Sequence, residues 1–292
     1  MTIKVPATSA NMGPGFDTLG ISLQLFNEVT ITESKFHSIS IRGESSKNIK
    51  LKSNSMFVDI FNKHYETICD DQRNFRFQFT NDIPLGRGLG SSSAVITSAI
   101  ASAYKVANIP ITKKELLNLS LKLEKHPDNI APAVFGGFVV SIVKDEKVIS
   151  IKKNMPDEVT AVVVIPNKPI STKQSRKKLP KSYTKEESIF NLSRSSLLTG
   201  AIFSENWSLL REASKDMFHE EYRIQLMPSL IDVQNTALNN GALMSTLSGS
   251  GSTIFSICYK NDAKNLESKL KHSFPKFRVR QLKFDNQGIK SN

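Results

Sequence analysis

The sequence predicts an α+β fold. Segments with strand and helix patterns are interleaved along the 292 residues, without the regular β–α alternation of a doubly wound sheet. Hydrophobic residues make up 39% and charged residues 23% of the chain, which is typical of a globular protein. The length suits one large domain or two smaller ones, and such a chain buries enough core to fold without disulfides or a structural metal.

In the first half of the chain, alternating apolar and polar residues with many β-branched side chains predict strands. These strands are Leu23–Thr32, Ser38–Arg42, Arg76–Thr80 and a hairpin of Gly137–Val143 with Lys147–Ile151. Helix-forming patterns predict three helices, which are Met56–Cys69, Val95–Val106 and Thr112–Leu123. Thr112 and Glu115 have the spacing of a capping box. Two stretches are expected to be turns, the small-residue-rich Ala7–Asp17 and the polar His126–Pro132.

The second half of the chain begins with an apolar run that predicts a buried strand, Val159–Ile165. The basic segment Lys168–Lys185 has no clear period, so we expect a linker or a mobile substrate loop there. Gly241 is expected to make a turn into Met244–Gly251. The remaining predicted elements are helices at Ser188–Ser214, Leu230–Asn239 and near 262–271, and strands at Thr253–Tyr259 and near Phe277–Leu282.

Several classes of protein are disfavoured by simple features of the chain. The start of the sequence has no basic and then apolar leader, and no apolar run approaches the roughly 18 residues of a membrane span. Cys69 and Cys258 lie far apart, and we expect two reduced thiols. These features predict a cytoplasmic protein without a membrane partner.

The chain is basic, with 39 Lys and Arg against 27 Asp and Glu, a net charge of +12. Basic residues are locally concentrated in Lys173–Lys181 and Lys264–Arg280, but neither stretch interleaves aromatic residues for base stacking. No zinc-finger or helix-turn-helix spacing is present. We therefore expect no nucleic-acid partner and interpret the charge as solvated surface that also favours a polyphosphate ligand.

A glycine- and serine-rich segment precedes the second predicted helix. Gly86, Gly88 and Gly90 leave the backbone free of Cβ atoms there, and Ser91–Ser93 add hydroxyl groups to the first turn. Free N–H groups and the dipole at a helix N-terminus form an anion site that glycines let a phosphate approach closely. The segment lacks the Gly-Lys-Ser/Thr of a Walker loop, and taken alone it is also explained as a turn with serine caps.

Four segments together carry a resemblance to a known family. Pro84–Ala94 resembles the phosphate loop of the GHMP kinase superfamily, which includes galactokinase, mevalonate kinase and homoserine kinase. Val5–Asp17 is similar to the first motif of that superfamily in its homoserine kinase form, and Leu247–Gly251 to the glycine-rich third motif. His126–Ala133, with Gly136-Gly137 following, is typical of homoserine kinases. The resemblance extends from residue 4 to about residue 260.

The resemblance implies a two-domain fold. Residues 1–155 would form an N-terminal domain of ribosomal-protein-like topology that carries the phosphate loop. Residues 156–292 would form a ferredoxin-like C-terminal domain that carries the third motif. The implied reaction transfers the γ-phosphoryl group of ATP to the side-chain hydroxyl of L-homoserine, a step of threonine biosynthesis. Mg²⁺ is the implied metal, and a homodimer is the implied assembly.

The resemblance also assigns the nucleotide and metal residues. The nucleotide would be bound by Pro84, Leu85, Gly86, Arg87, Gly88, Leu89, Gly90, Ser91, Ser92, Ser93 and Ala94, with Asn54 beside the adenine. Glu124 and Ser92 would hold Mg²⁺, which binds proteins through one or two carboxylates and bridges phosphate oxygens. Lys125 follows Glu124 where many homoserine kinases have glycine.

Homoserine is a zwitterion, so its pocket needs both signs of charge. By resemblance, Asp17, near Asn11, binds the ammonium group, while Thr172, Arg176 and Arg223 bind the carboxylate. Guanidinium groups bind carboxylates through two parallel hydrogen bonds, which fixes orientation as well as charge.

By the same resemblance, Asn129 and His126 would orient the reacting side-chain hydroxyl of homoserine. Related kinases have an aspartate base near the position of Asn129, and an amide cannot take a proton. The resemblance therefore implies a mechanism without a strong protein base, which a largely dissociative phosphoryl transfer tolerates. Asp128 is the alternative acid–base group. Three other functions remain open at this point: a kinase for another small alcohol, a catalytically silent relative, and a basic nucleic-acid-binding protein.

Overall fold

The computed structural model describes residues 1–44, 46, 56–71 and 73–291, so Asn54 lies outside the described residues. The strands are β1 (Thr2–Ala10), β2 (Leu19–Ser34), β3 (Ser38–Gly43), β4 (Asn74–Asn81), β5 (Phe138–Lys144), β6 (Lys147–Lys153), β7 (Val159–Ile165), β8 (Ala242–Leu247), β9 (Ile254–Tyr259), β10 (Arg278–Leu282) and β11 (Lys290–Ser291). The helices are α1 (Met56–Ile68), α2 (Ser91–Val106), α3 (Lys113–Leu121), α4 (Pro127–Phe135), α5 (Thr172–Arg176), α6 (Lys185–Phe203), α7 (Leu210–Ala213), α8 (Glu220–Ile224), α9 (Ser229–Asn239) and α10 (Ala263–Ser273). A short 3₁₀ turn covers Trp207–Leu209.

The first sheet is built mainly from the first half of the chain. Its strands lie in the order β11-β1-β2-β4-β3, and the hairpin of β5 and β6 joins it through β2. Because β2 is 16 residues long, its beginning pairs with β5 and its end with β4. β3 and β4 form a parallel pair. Helices α2 and α4 pack on β1, which brings the N-termini of both helices to the same region.

The second sheet comes from the second half of the chain. Its four antiparallel strands lie in the order β10-β7-β9-β8. Helices α9 and α10 pack on this sheet. The succession of one strand, helices, two strands, a helix and a last strand is that of a ferredoxin-like unit.

The two sheets share one large apolar core. Its buried members include Phe77 and Phe138 of the first sheet and Val163 and Phe255 of the second. The C-terminal tail then returns to the first sheet, where β11 pairs with β1 and the amide of Gln24 donates to the carbonyl of Lys283 at 2.8 Å. The division of the chain at residues 155 and 156 stays a prediction.

Several predicted features are confirmed. The predicted strand Val159–Ile165 coincides with β7, and all of its residues are buried. The capping box of Thr112 and Glu115 is present at the start of α3. Cys69 and Cys258 are free thiols. No helix in the described ranges is long and apolar enough to cross a membrane.

The predicted loop Ala7–Asp17 is wrong over Ala7–Ala10, which continue β1. A register shift between Pro6 and Ala7 lets the strand keep pairing with β2 beyond the proline. The phosphate loop packs closely on this part of the strand, since a Cβ on Gly90 would lie 1.9 Å from Oγ1 of Thr8. The turn begins at Asn11, whose φ is 69°.

The predicted polar turn His126–Pro132 is also wrong, because helix α4 begins at Pro127. A proline suits the first turn of a helix, where its missing N–H has no helical partner. Pro132, inside the helix, leaves the carbonyl of Asp128 without its usual helical donor. That carbonyl faces Gly20 of β2, where a Cβ would lie 1.8 Å from it.

Two expectations for the second half need correction, and one helix was missed. Lys168–Lys185 is not a linker without structure, since it contains α5 and its Ser175 is fully buried. The predicted helix Ser188–Ser214 is divided, because α6 ends at Phe203 and is followed by the 3₁₀ turn Trp207–Leu209 and the short helix α7. Helix α8 was not predicted, and its five residues are too few to set a helical period.

Candidate active site

A cavity of about 140 Å³ lies where the N-termini of α2 and α4 meet α5, α8 and the turn after β8. Most of the residues that the sequence singled out line it. They are Asn11, Asp17, Gly86, Arg87, Gly88, Leu89, Gly90, Ser91, Ser92, Ser93, Glu124, His126, Asp128, Asn129, Thr172, Arg176 and Arg223, joined by Gly249 and Ser250.

The phosphate-loop side of the cavity is the N-terminus of α2. Gly90 precedes the helix with a φ of 69°, and no side chain caps it. The first N–H groups of a helix have no intrahelical partner, so those of Ser91–Ser93 are available to an anion. The hydroxyl of Ser91 is buried without a hydrogen-bond partner in the described part of the chain. An unsatisfied buried hydroxyl at a helix N-terminus fits a phosphate oxygen.

The glycines of this loop pack against the third motif. A Cβ on Gly88 would lie 2.1 Å from the carbonyl oxygen of Ser248, and the Ser248 hydroxyl donates to the Gly88 carbonyl at 2.6 Å. Asn11 reaches the same motif, since its Nδ2 donates to the Gly249 carbonyl at 3.1 Å. Its Oδ1 accepts from the amide of Asp17 at 3.1 Å. Asn11 thus orients Asp17 and the glycine turn.

A second cavity, of about 270 Å³, opens beside the same loop. It is largely apolar and shares Gly86, Ser91 and Ser92 with the first cavity. Its other lining residues are Asn27, Ile41, Met56, Phe57, Phe79, Asn81, Leu85 and Val95. An apolar cavity next to an anion site has the composition that a nucleoside requires.

The opposite wall of the first cavity carries paired charges. Asp17 accepts two hydrogen bonds from Arg176, at 2.6 Å from Nη2 and 3.2 Å from Nη1. His126 lies between Asp17 and Glu124, with Nε2 at 3.6 Å from the first carboxylate and Nδ1 at 3.4 Å from the second. The hydrogen bond with Glu124 and the charge of Asp17 raise the pKa of His126.

Arg223 is the most deeply buried cation at the site, with an exposed fraction of 2%. Its Nη1 donates to the Gly249 carbonyl at 2.9 Å and faces Nδ1 of His219 at 3.3 Å. Burial lowers the pKa of His219 to about 4, so its imidazole is neutral near pH 7 and can accept there while Nε2 donates to the Gly13 carbonyl. Nε of Arg223 has no acceptor among the described residues.

The ring of Phe16 lies between the two arginines. Its centroid is 5.4 Å from Cζ of Arg176 and 5.1 Å from Cζ of Arg223. It also stacks on His219, with the ring centroids 5.3 Å apart. Nε of Arg176, like that of Arg223, is buried without an acceptor in the described ranges. Two guanidinium groups with free donors beside one cavity provide a site for a carboxylate.

At the start of α4, Asp128 and Asn129 have different environments. Asp128 is buried, and desolvation together with the charge of Asp17 raises its pKa to about 7. Oδ1 of Asn129 accepts from the Thr8 hydroxyl at 2.7 Å, and its Nδ2 makes a long contact of 3.5 Å with Oδ1 of Asp128, which leaves its second N–H available to a ligand. Asn129 therefore presents a donor to the cavity.

A few predicted site residues lie elsewhere. Pro84 and Ala94 are buried and do not line the first cavity, while Leu85 lines the second. The sequence argument missed Thr8, Phe16 and His219, which do not line the cavity but contact residues that do. Their signal was position alone: Thr8 and Phe16 belong to the first motif, and His219 precedes Arg223 by one helical turn.

Within the described residues, no three Asp, Glu, His or Cys side chains are grouped to hold a metal ion. Glu124 and Ser92 line the same cavity and offer oxygen ligands. Mg²⁺ usually keeps waters and takes one or two carboxylates with substrate phosphates, so this donor set fits a metal that arrives with a nucleotide.

The family models agree with this architecture. The GHMP kinases N terminal domain matches residues 55–137, and the GHMP kinases C terminal model matches residues 198–276. The chain belongs to the GHMP kinase family, and the prediction of an α+β GHMP kinase fold is confirmed. A kinase of this family uses ATP as its phosphoryl donor.

Several curated relatives that match along the whole chain are homoserine kinases, so the chain belongs to the homoserine kinases of this family and that prediction is confirmed. That of Aliarcobacter butzleri is 57% identical over 290 residues, which is 99% of each chain. That of Wolinella succinogenes is 57% identical over 289 residues, again 99% of each chain. The crystal structure of homoserine kinase from Cytophaga hutchinsonii superimposes with a TM-score of 0.88 at 26% identity, covering 99% of this chain and 96% of that one.

Proposed function

We propose that this chain transfers the γ-phosphoryl group of ATP to the side-chain hydroxyl of L-homoserine, giving O-phospho-L-homoserine in threonine biosynthesis. The observation that carries the proposal is the pairing of Asp17 with Arg176 beside the buried Arg223, in the cavity that also exposes the N-terminus of α2. This wall has one carboxylate and two guanidinium groups, which suits an amino acid. Mevalonate has no ammonium group for Asp17 to bind.

The nucleotide occupies both cavities. Its phosphates lie against the N-terminus of α2, where Ser91 has an unsatisfied hydroxyl and the loop glycines let the phosphates approach closely. Its nucleoside lies in the apolar second cavity, which shares Ser91 and Ser92 with the first.

Glu124 and Ser92 would hold Mg²⁺, since both line the first cavity and offer oxygen ligands. The metal would supply neutralisation of phosphate charge. Because Glu124 also contacts His126, the same carboxylate links the metal to the residue that orients the acceptor hydroxyl.

Homoserine binds by inserting between Asp17 and Arg176, which form an ion pair in its absence. Its ammonium group binds Asp17, and its carboxylate binds Arg176, Arg223 and Thr172. A zwitterion replaces the contact between Asp17 and Arg176 with two contacts of the same kind, so neither protein charge loses a partner. Asn11 keeps Asp17 in place through the Asp17 amide.

Asn129 and His126 orient the hydroxyl of homoserine toward the γ-phosphate. Asn129 donates from its amide nitrogen, while the Thr8 hydroxyl fixes the orientation of the amide by donating to its oxygen. Positioning and charge neutralisation provide most of the rate enhancement in phosphoryl transfer, so no strong protein base is required. Asp128, whose pKa is about 7, is the alternative proton acceptor.

The test is an ADP-release assay with ATP and Mg²⁺ across homoserine, mevalonate, galactose and shikimate, with the product identified by mass. We expect release above the water background with L-homoserine. Release with another alcohol alone would reassign the substrate, and release with none would favour a silent relative. A salt-dependent shift of DNA or RNA in a binding assay would point to the nucleic-acid alternative. A cytoplasmic location and a homodimer stay predictions.

A further inference from the structure

Arg87 belongs to the phosphate loop, but its guanidinium group is directed at the backbone. It donates from Nη1 to the Leu85 carbonyl at 2.9 Å and from Nε to the Pro166 carbonyl at 2.8 Å. Nη2 donates to the carbonyl of Asn167. One acceptor is in the phosphate loop, and the other two directly follow β7. The side chain therefore connects the two halves of the chain.

The segment that Arg87 reaches leads directly to the homoserine side of the site. We call residues 166–176 the substrate arm, because it ends in Thr172 and Arg176. The amide of Ile170 donates to the Gly86 carbonyl at 3.0 Å, which is a second link between arm and loop.

The third motif and the two residues that follow it complete the junction. The amide of Thr253 donates to the backbone carbonyl of Arg87 at 3.0 Å. The hydroxyl of Ser252 donates to the Lys168 carbonyl at 2.8 Å, and that of Ser175 to the Ser250 carbonyl at 3.0 Å. Phosphate loop, substrate arm and third motif thus form one hydrogen-bonded unit around Arg87.

We propose that Arg87 is a positioning residue that couples the ATP site to the homoserine site, by fixing the substrate arm to the phosphate loop. This proposal rests on the proposed function. Each side-chain nitrogen of Arg87 donates to a carbonyl group, and two of these three carbonyls belong to the arm, so the guanidinium acts mainly on the arm. A planar fork suits this role, since it holds acceptors from two segments at once.

The experiment measures ligand binding by calorimetry. L-Homoserine is titrated with and without a saturating non-hydrolysable ATP analogue and Mg²⁺, and the analogue is titrated alone. We expect the analogue to tighten homoserine binding by about five-fold or more in the unmodified chain and by less than about two-fold in Arg87→Ala. The affinity for the analogue alone should be nearly the same in both.

Two further variants make the result specific. Arg87→Lys keeps the charge but cannot form the fork, so it should retain only part of the coupling. Arg211→Ala is the matched control, because its guanidinium also donates to backbone carbonyls, those of Leu238 and Ala242, which belong to neither loop nor arm. It should keep the full coupling.

Three results would overturn the proposal. They are coupling that survives in Arg87→Ala, an unmodified chain without coupling, and an analogue that binds about ten-fold more weakly to Arg87→Ala alone, as expected for a direct phosphate contact. If Arg87→Ala does not fold, Arg87→Lys takes its place, and coupling as strong as in the unmodified chain would then overturn the proposal. Failure of the proposed function differs, because the unmodified chain would then release no ADP with homoserine.

Discussion

Replacing Arg223 with alanine gives the sharpest test of the homoserine site. Only 2% of Arg223 is exposed, and its Nε has no acceptor among the described residues, so a bound carboxylate would be desolvated against it. Removing one partner of such a buried charged pair costs about 2–5 kcal/mol, or roughly 30- to 5,000-fold in kcat/KM. Arg176→Ala should lie nearer the lower end, because 32% of the Arg176 side chain is exposed and water weakens the interaction.

The assay is steady-state ADP release, with KM determined separately for homoserine and ATP. The loss in both variants should be in the homoserine KM and in kcat, while the ATP KM changes little. Arg223→Lys should recover only part of the loss, because an ammonium group cannot form a bidentate contact with the carboxylate. His219 and the Gly249 carbonyl also lose a donor in Arg223→Ala, so a thermal unfolding curve accompanies the kinetics.

Lys177→Ala and Lys178→Ala are the internal controls. Both lysines are exposed, follow Arg176 directly and line neither cavity. They should keep the homoserine KM of the unmodified chain. If the arginine variants behave like these lysine variants, the carboxylate assignment is refuted and the basic segment is surface only.

Three other predictions concern the remaining groups of the site. Glu124→Gln should lower kcat and raise the Mg²⁺ concentration needed, because a neutral amide binds a hard cation poorly; unchanged turnover at limiting Mg²⁺ would redirect attention to Asp128. Ser92→Ala should raise the ATP KM or lower kcat, and a defect confined to the homoserine KM would contradict the phosphate-loop assignment. Because burial raises the pKa of Asp128 from 3.8 to about 7, the folded chain holds a proton there that the unfolded chain releases between those values. Its contribution to the free energy of unfolding should fall as pH rises through this window. The free energy of unfolding of Asp128→Asn, measured by urea unfolding at several pH values, should therefore fall less steeply with pH than that of the unmodified chain.

The sequence predicted the parts of the site whose chemistry is local. Glycines and serines before a helix indicate an anion site from local sequence alone. The structure confirms that the loop from Gly86 to Ser93 lines the cavity. Elements were predicted well where one helix face sets a long period, as in α1, and where a continuous apolar run marks a buried strand, as in β7. His126–Pro132 was mistaken for a turn because its prolines suggest one, although Pro127 suits a first helical turn and Pro132 opposes Gly20 of β2.

Contacts between distant segments were beyond the sequence. Nothing in the pattern around Arg87 indicates that its guanidinium reaches the carbonyls after β7, because 79 residues separate it from Pro166. The stacking of Phe16 on His219 likewise depends on α8, which is too short to predict. Such contacts follow from packing of the two sheets on one core, and only the folded chain brings them together.

The orientation of Asn129 has a consequence for the mechanism. A hydroxyl that attacks phosphorus must lose a proton, and the amide of Asn129, whose oxygen accepts a hydrogen bond from Thr8, cannot take that proton. The adjacent Asp128 is buried, and its pKa of about 7 leaves it about half protonated at neutral pH. If Asp128 were the base, its ionised form would lie near Asp17, whose charge already contributes to the raised pKa. A late proton transfer to the phosphoryl group itself avoids that cost, and it suits a loose transition state in which the nucleophile needs little activation.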